Sequence, residues 1–280
     1  MSLNYYRGSI TEGEISISPQ DRGLQLGDGV FETMLVVDGV AVWREAHLAR
    51  MKTSAGELGF PFETAVLAEA MDALLARCGK GMNVLRLAMT RGVAARGLAG
   101  SGKPSIIASL DPLPSGFILQ PGKLVTSSIR RNETAPSCRH KTSSYIDAIS
   151  AARDALARGG DDALMLNCAG LVASGTISNI FVLRGGELAT PDLDQGILPG
   201  VTRQSILRLA PNLGLRGVER RVSLSELSHA DAVFFTNSLR LVRQVTALDG
   251  KPMGKRSLEP LFDALCGSIG REAGRDPRLI

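Results

Sequence analysis

A proline- and glycine-rich break near the middle of the chain constrains the fold more than any other feature of the sequence. Residues 111–116 read Asp-Pro-Leu-Pro-Ser-Gly, and such a cluster interrupts both helices and strands. On either side of it, short β-rich runs are interleaved with segments of helical spacing. The 280 residues exceed the roughly 100–200 residues of a typical domain. The sequence therefore predicts an α+β protein with an N-terminal α+β domain (1–113) and a C-terminal α/β domain (114–280).

The first half of the chain carries a hairpin signal followed by a helical segment. Val30–Val37 is rich in residues that favour strands, and the Asp-Gly pair after it is a preferred two-residue hairpin turn. Arg44–Leu58 then has helical spacing. His47 and Arg50 are three residues apart, so the spacing predicts that both lie on one face of that helix.

One lysine in the second half lies where rigid structure can aim it. Lys141 follows a strand predicted over Lys123–Ile129 and a polar connection, and it precedes a helix. Ser143 and Ser144 are suitable capping residues, and we expect the helix to begin there. A solvated loop lysine is the ordinary interpretation of such a residue, so a chemical role depends on the other motifs in the chain.

The helix after Lys141 has a regular apolar spacing. Ile146, Ile149 and Leu156 form one face together with several alanines, and the charged side chains are mostly turned away from it. The pattern predicts one apolar face on this helix, which ends at Gly159-Gly160.

A second motif has the features of an anion site. Residues 197–203 read Ile-Leu-Pro-Gly-Val-Thr-Arg and lead into a helix, with Val201 and Thr202 at its start. Backbone N–H groups in the first turn of a helix have no intrahelical acceptor and attract anions. The helix start therefore predicts a phosphate site. Asn237 and Ser238 form another small polar turn, at the end of a predicted strand.

Composition excludes several classes of function. The net charge of +4 comes from 32 basic and 28 acidic residues scattered along the chain, and aromatic residues make up only 4% of it, so nothing indicates a nucleic-acid partner. The four cysteines form no CxxC pair, which favours reduced thiols over a metal site or disulfides. Met1–Ile10 lacks the apolar core typical of a signal peptide, and the sequence has no run of about 18 apolar residues. We therefore predict a cytoplasmic protein without a membrane span.

Six short stretches, taken in order, resemble the fold-type IV pyridoxal phosphate enzymes. That group includes branched-chain aminotransferases, D-amino acid transaminases and 4-amino-4-deoxychorismate lyases. Each stretch is short, and their agreement in order over most of the chain carries the resemblance. The stretches are Asp21–Thr33, His47–Arg50, Lys141–Thr142, Gly175–Phe181, Gly196–Arg203 and Thr236–Leu239.

The resemblance implies a fold, a cofactor and an assembly. The fold is the two-domain α+β architecture of D-amino acid transaminases, with pyridoxal phosphate held at the domain interface and a small molecule as substrate. It also implies a homodimer in which the partner chain supplies part of each site. The segments Gly27–Thr33 and Thr236–Leu239 are more similar to the lyase branch of the group.

The resemblance also implies roles for individual residues. Lys141 would form the Schiff base with the cofactor and then act as general acid and base. Arg50 would contact the cofactor phosphate, with His47 either positioning it or serving a structural role, and Arg96 would hold a substrate carboxylate. Tyr145 would either hydrogen-bond the ring oxygen or pack. The other cofactor-binding residues implied are Ser174, Ser178, Asn179, Val201, Thr202, Asn237 and Ser238.

Ser174 is a departure from the pattern of the group. Relatives usually carry a glutamate at this position, directly before the Gly-Thr pair, where it pairs with the pyridine nitrogen of the cofactor. A serine hydroxyl can hydrogen-bond that nitrogen but brings no charge, so the cofactor would withdraw electrons less strongly. Unless another acid replaces the glutamate from elsewhere in the chain, transamination should suffer most.

Three functions remain open after this departure. The leading one is a lyase that converts 4-amino-4-deoxychorismate to 4-aminobenzoate and pyruvate in folate biosynthesis. The second is an aminotransferase for D- or branched-chain amino acids. The third is a relative that binds the cofactor with weak or no catalysis.

Overall fold

The computed structural model describes residues 2–100, 102–254 and 256–280, which divide into two compact units. The first unit takes the residues up to Ser115 together with His140–Ser144 and Ile269–Ile280, and the second takes Gly116–Arg139 and Tyr145–Ser268. The segment around Lys141, which the sequence analysis assigned to the C-terminal half, groups with the first unit. The domain boundary after residue 113 stays a prediction.

The first unit is built on an antiparallel sheet. Its strands are β1 (Leu3–Tyr6), β2 (Ser9–Glu12), β3 (Gly29–Val37), β4 (Val40–Ala41), β5 (Met82–Thr90) and β6 (Ser105–Pro112). Its helices are α1 (Arg22–Leu26), α2 (Arg44–Glu57) and α3 (Thr64–Leu75). The strands lie in the order β2-β1-β6-β5-β3-β4. The apolar residues of α3 and of the sheet form the core, with Met34, Leu67, Met71, Leu74, Leu85 and Leu87 fully buried.

The hairpin and the helix predicted for the first half are both confirmed. Strands β3 and β4 are joined by Asp38 and Gly39, which have φ angles of 47° and 90°. Two consecutive left-handed residues match the right-handed twist of a hairpin, and aspartate and glycine adopt that conformation readily. Helix α2 begins at Arg44, as its spacing predicted.

The second unit contains a sheet that closes on itself. Among the described residues its strands are β7 (Gly122–Thr126), β8 (Asp162–Leu166), β9 (Val172–Ser174), β10 (Asn179–Arg184), β11 (Glu187–Thr190), β12 (Arg216–Glu219), β13 (Ala232–Asn237), β14 (Leu241–Leu248) and β15 (Lys251–Pro252). The order is β12-β11-β10-β13-β14-β7-β8-β9, with β15 beside β14. Closure comes from an added pairing of β9 with β10.

Helices and 3₁₀ turns connect these strands and end the chain. The helices are α4 (Pro136–Arg139), α5 (Ile146–Ala157), α6 (Val201–Leu209), α7 (Leu224–Ser228) and α8 (Glu259–Ala273). The 3₁₀ turns are Leu193–Gln195, Ala210–Leu213 and Pro277–Leu279. Strands β8, β10 and β13 are buried on both faces, which explains why their sequences are nearly continuous apolar runs.

The apolar face predicted for α5 is buried only in part. Ile146 and Leu156 are 71% and 73% exposed, whereas Ala151 and Ala155 are fully buried. The two alanines pack with residues of β7 and β8. Their small side chains let the helix backbone approach the sheet closely, and the bulky residues lie on the outer face.

Candidate active site

Lys141 is held by backbone pairing with strand β3. The Phe31 N–H donates to the Lys141 carbonyl at 2.9 Å, and the Ser143 N–H donates to the Gly29 carbonyl at 2.9 Å. Because β3 is buried along most of its length, this pairing fixes the lysine backbone on a rigid element. The sequence predicted a lysine that rigid structure could aim, and the pairing supplies the physical means.

The same pairing overturns the prediction that Ser143 and Ser144 cap the next helix. Helix α5 begins at Ile146, and Tyr145 takes the N-cap position without a side-chain hydrogen bond to the helix. The serines lie outside the helix because the segment is still paired with β3 at this point. Tyr145 is half-buried, and its role toward a cofactor stays a prediction.

The Lys141 side chain is half-buried and lies against an aromatic ring. Its Nζ atom is 4.3 Å from the centroid of the Phe31 ring. A cation over an aromatic face is favourable, and the contact places the amine beside the polar residues of β3 and α2.

A buried carboxylate, Glu32, connects His47 and Arg50. The Arg50 Nε atom donates to Glu32 Oε1 at 2.8 Å, and a second guanidinium nitrogen donates to Oε2. The His47 Nδ1 atom lies 2.7 Å from Oε2. His47 and Arg50 therefore share one helix face, as predicted, and the two-point contact with Glu32 fixes the plane of the guanidinium.

Burial and the neighbouring charges shift the pKa values of Glu32 and His47. Burial by itself raises the pKa of Glu32, but the Arg50 guanidinium and the His47 hydrogen bond outweigh it and lower the pKa to about 2. Burial also lowers the pKa of His47, and the positive charges of Arg50 and Lys141 add to the effect, although Glu32 opposes it. At neutral pH the cluster is a carboxylate, a neutral imidazole and a guanidinium, with the Lys141 amine beside it.

Glu32 was not among the predicted site residues. The signal was present, since a glutamate inside the apolar run Val30–Val37 needs a buried partner. Helix α2 carries the matching cation, three residues after a histidine.

Arg96 lies in the connection between β5 and β6 and is exposed. Within the described residues its guanidinium has no hydrogen-bond or ion-pair partner. An exposed arginine of this kind is free to bind an incoming anion.

In the second unit, Ser174 ends strand β9 and is buried. Its hydroxyl donates to the Gly175 carbonyl at 2.7 Å. The hydroxyl proton is therefore used within the turn, and the lone pairs of the oxygen remain as acceptors.

Asp162 holds the turn that follows Ser174. Its carboxylate accepts from the Thr176 hydroxyl at 2.5 Å and from the Ala163 N–H at 2.8 Å, and the Ser178 hydroxyl lies at 3.4 Å. Burial raises the pKa of Asp162, although the hydrogen bonds from Thr176 and Ala163 oppose the shift. The structure thus places Ser178, a predicted cofactor residue, in the internal network of the turn.

Asn179 likewise supports a neighbouring turn. Its Nδ2 atom donates to the Leu198 carbonyl at 2.9 Å. A Cβ atom at Gly200 would lie 2.0 Å from Asn179 Oδ1, so only glycine fits there. Asn179 and Gly200 together set the direction in which helix α6 starts.

The start of α6 has the properties of a ligand site. Gly200 is the N-cap and provides no capping side chain, so the first-turn N–H groups of Val201 and Thr202 keep their capacity to donate. Thr202 is 2% exposed, and within the described residues its hydroxyl has no hydrogen-bond partner. The same holds for the Thr236 hydroxyl at the end of β13. A buried unsatisfied hydroxyl costs about 1–3 kcal/mol, so these two groups indicate a polar ligand.

Asn237 and Ser238 form the turn after Thr236. The Asn237 Oδ1 atom accepts from the N–H groups of Leu239 at 3.1 Å and Arg240 at 2.8 Å. Asn237 therefore shapes this turn, and Ser238 is half-buried within it.

Two other kinds of feature are absent from the described part of the chain. Within residues 2–100, 102–254 and 256–280, no group of three or more histidine, cysteine or acidic side chains is placed to hold a metal ion. In the same part of the chain, no helix is both long and apolar enough to cross a membrane.

Comparison with known proteins defines the class. The family model described as Amino-transferase class IV matches residues 29–248. The chain therefore belongs to the class IV aminotransferase family, the fold-type IV enzymes that depend on pyridoxal phosphate. The resemblance, the α+β fold class and the cofactor predicted from the sequence are all confirmed.

Curated relatives with different activities are similar to about the same degree. A putative branched-chain-amino-acid aminotransferase of Methanocaldococcus jannaschii is 31% identical over 89% of this chain and 88% of its own. An aminodeoxychorismate lyase of Bacillus subtilis is 32% identical over 89% and 87%. A D-alanine aminotransferase of Bacillus licheniformis is 30% identical over 91% and 92%. Sequence identity alone therefore does not select the reaction.

Solved structures have the same fold. A putative 4-amino-4-deoxychorismate lyase from Legionella pneumophila gives a TM-score of 0.82 at 30% identity, covering 92% of this chain and 96% of that one. The branched-chain aminotransferase from Thermoproteus uzoniensis with norvaline gives 0.86 at 26% identity, covering 98% and 95%.

Proposed function

We propose that this enzyme is a lyase that converts 4-amino-4-deoxychorismate to 4-aminobenzoate and pyruvate. The observation that carries the proposal is the buried Ser174 hydroxyl, which is already bonded to the Gly175 carbonyl. The family resemblance implies a carboxylate at this position, so the serine brings no charge there. The nearby carboxylate of Asp162 is engaged by the turn itself. Formation of an aromatic product drives the lyase reaction, so it tolerates a weaker electron sink than transamination does.

The residues in both units fit pyridoxal phosphate. In the first unit, Arg50 supplies a fixed guanidinium for the phosphate and Lys141 an amine for the aldehyde. In the second, the N–H groups at the start of α6 and the hydroxyls of Thr202 and Thr236 are donors that suit phosphate oxygens. When bound, this cofactor stabilises negative charge on the substrate carbon that bears the amine. Its location at the domain interface stays a prediction.

Lys141 is the proposed acid and base. Its Nζ atom removes the proton from the substrate carbon that bears the amine, and the resulting ammonium then protonates the departing enolpyruvyl group. The pairing of its backbone with β3 holds the amine in place for both transfers. Arg96 binds a carboxylate of the substrate through its guanidinium fork.

An aminotransferase for D- or branched-chain amino acids is the second candidate. The names of the relatives from M. jannaschii and B. licheniformis support it. Transamination needs a cofactor that withdraws electrons more strongly. An acid from elsewhere in the chain would then have to pair with the pyridine nitrogen in place of residue 174.

A direct assay separates the two candidates. Purified enzyme loaded with pyridoxal phosphate is given aminodeoxychorismate, D-alanine or L-leucine, and products are identified by chromatography. The proposal predicts pyruvate and 4-aminobenzoate in equal amounts. Keto acid from either amino acid, with no pyruvate from aminodeoxychorismate, would establish the aminotransferase instead.

Ser174→Glu tests the argument from the electron sink. A carboxylate beside the pyridine nitrogen raises the pKa of that nitrogen and stabilises negative charge on the substrate carbon. We expect the half-reaction with amino acids to accelerate more than the lyase reaction does, as measured by stopped-flow absorbance at matched cofactor occupancy. Ser174→Gln is the control, since it adds bulk without charge. A glutamate variant with no gain on any amino acid would remove the Ser174 argument for a lyase.

Thr202→Val tests the proposed phosphate site. Valine has the shape of threonine but lacks the unsatisfied hydroxyl, so the cofactor-free protein should become more stable by about 1 kcal/mol. Cofactor affinity should fall by about tenfold, the value of a hydrogen bond to a charged group. The control is Thr190→Val, which removes a buried hydroxyl that donates to the Ile180 carbonyl at 2.7 Å.

The control should lose stability and keep its cofactor affinity. Urea unfolding of the cofactor-free proteins and cofactor titration provide the two measurements. If Thr202→Val loses stability as the control does and binds the cofactor normally, the hydroxyl is not a phosphate ligand.

A homodimer and a cytoplasmic location belong to the same proposal. The predicted role of a partner chain in each site supports the first of them. Light scattering of the purified enzyme measures its mass in solution directly.

A further inference from the structure

Arg22 makes an unusual set of contacts for a residue outside the proposed site. It is buried at the start of α1, within the Asp21–Thr33 stretch. Its Nη1 and Nη2 atoms donate to the carbonyls of Gly97 and Leu98 at 2.6 and 2.7 Å. These two carbonyls directly follow Arg96, so Arg22 holds the backbone that carries the proposed substrate-binding arginine.

The Arg22 guanidinium is also held by the carboxylate of Asp28. Its Nε atom donates to Asp28 Oδ2 at 2.8 Å, and the same oxygen accepts from Arg91 Nε at 2.9 Å. Burial opposes ionisation of Asp28, but the hydrogen bonds from Arg22 and Arg91 outweigh it and lower its pKa. Arg91 in turn donates to the carbonyls of Leu58 and Gly59. One carboxylate thus locks two arginines in place.

Asp21, the residue before Arg22, is hydrogen-bonded to both strands that flank the loop. Asp21 accepts from the Gly23 N–H at 2.8 Å, from the Thr90 hydroxyl of β5 at 3.0 Å and from the Ser105 hydroxyl of β6 at 2.9 Å. The Arg22 N–H also donates to the Gly92 carbonyl at 2.9 Å. The position of residues 92–98 is therefore set by a polar network anchored on the sheet.

The outer side of the loop is exposed to solvent. Arg96 is exposed, and Leu98 is exposed although it is a large apolar residue. Without the two Arg22 hydrogen bonds, the backbone next to Arg96 would lose two contacts that hold it in place.

We propose that Arg22 is a positioning residue for recognition of the substrate carboxylate, acting through the loop that carries Arg96. The proposal rests on the proposed role of Arg96. Arg22 does not itself touch substrate. Its planar fork serves two carbonyls and one carboxylate at once, which a lysine ammonium cannot reproduce with the same geometry.

The test uses Arg22→Lys, Arg96→Gln and the double variant in the enzyme loaded with cofactor. A hydrogen bond to a charged group strengthens binding by a factor of about 10 to 100. Arg96→Gln should therefore raise KM by a factor of that size. Arg22→Lys should raise KM roughly tenfold, since small misplacements weaken binding strongly, while cofactor affinity stays unchanged. In the Arg96→Gln background, Arg22→Lys should add nothing.

Hydrogen exchange of the amides of residues 93–100 tests the anchoring without reference to activity. Arg22→Lys should speed exchange in this segment in the folded holoenzyme. Arg243→Lys is the matched control, because Arg243 is also buried and donates to the carbonyls of Gln120 and Pro121 at 2.8 and 3.1 Å. It should leave exchange at 93–100 unchanged.

Three results would overturn the inference. Unchanged exchange at 93–100 in Arg22→Lys would show that Arg22 does not hold the loop. An equal rise in KM with and without Arg96 would show that Arg22 acts by another route. Faster exchange combined with no effect of Arg96→Gln on KM would mean that the anchoring exists but that the proposed role of Arg96 is wrong.

Discussion

Replacement of Lys141 by alanine is expected to abolish covalent attachment of the cofactor and to lower turnover by a factor of about 10²–10⁴ or more. The variant loses both the amine that holds the aldehyde and the group that transfers the proton. The fold should survive, because Lys141 is bonded to β3 through its backbone and its side chain is only half-buried. Steady-state assay on aminodeoxychorismate and absorbance of the loaded protein measure the two losses.

Lys52→Ala is the matched control for this variant. Lys52 is exposed on α2, the helix that carries Arg50. Its replacement removes one positive charge, as Lys141→Ala does, but leaves the proposed site intact. It should bind cofactor and turn over normally. A Lys141→Ala enzyme with activity near that of the control would exclude Lys141 as the catalytic group.

Glu32→Gln should produce the second large effect, on cofactor binding and on stability together. The substitution leaves the Arg50 guanidinium without its anion and with a weaker, neutral partner. Breaking a buried ion pair typically costs about 3–5 kcal/mol. The loss of orientation at Arg50 should also weaken phosphate binding, which titration of the variant with pyridoxal phosphate measures.

The pH dependence gives this prediction a distinct signature. The pKa of Glu32 is lowered to about 2 in the folded protein, so its stabilisation is complete above the ordinary glutamate value and is lost as pH falls toward 2. A shift of this size corresponds to stability on the order of 3 kcal/mol. Wild type should therefore lose stability between about pH 5 and pH 2, and Glu32→Gln should lack that part of the slope.

Glu45→Gln is the control for the acid titration. Glu45 is exposed in the first turn of α2, and its removal should leave the slope of the wild type intact. Urea unfolding at a series of pH values gives the free energies. Parallel curves for Glu32→Gln and wild type would contradict the buried charge cluster.

The fold was predictable wherever the pattern of a segment is decided locally. The hairpin at Asp38-Gly39 follows from turn chemistry, and helix α2 follows from the spacing of its residues. Helix α5 was predicted, but the sequence did not show which of its apolar residues are buried. The choice between its alanines and its isoleucines depends on how closely the neighbouring strands approach, and that distance is absent from the sequence.

The residues of the candidate site were likewise predictable only where the signal is local in sequence. Lys141, Arg50 and the start of α6 were predicted as site residues because short motifs carry them, and their roles stay predictions. Glu32 and Arg22 were not assigned, although both lie inside a quoted motif, because their roles depend on partners 18 and 75 residues away. Long-range polar pairing of this kind has no local periodicity, so residue spacing alone does not reveal it.

Borohydride reduction followed by peptide mapping tests directly whether the cofactor is attached to Lys141. The enzyme loaded with pyridoxal phosphate is reduced, digested and analysed by mass spectrometry, with Lys141→Ala treated in parallel. We predict a pyridoxyl group on the peptide that contains Lys141 and none in the variant. A pyridoxyl group on another lysine, or its absence from the wild-type protein, would contradict the site described above.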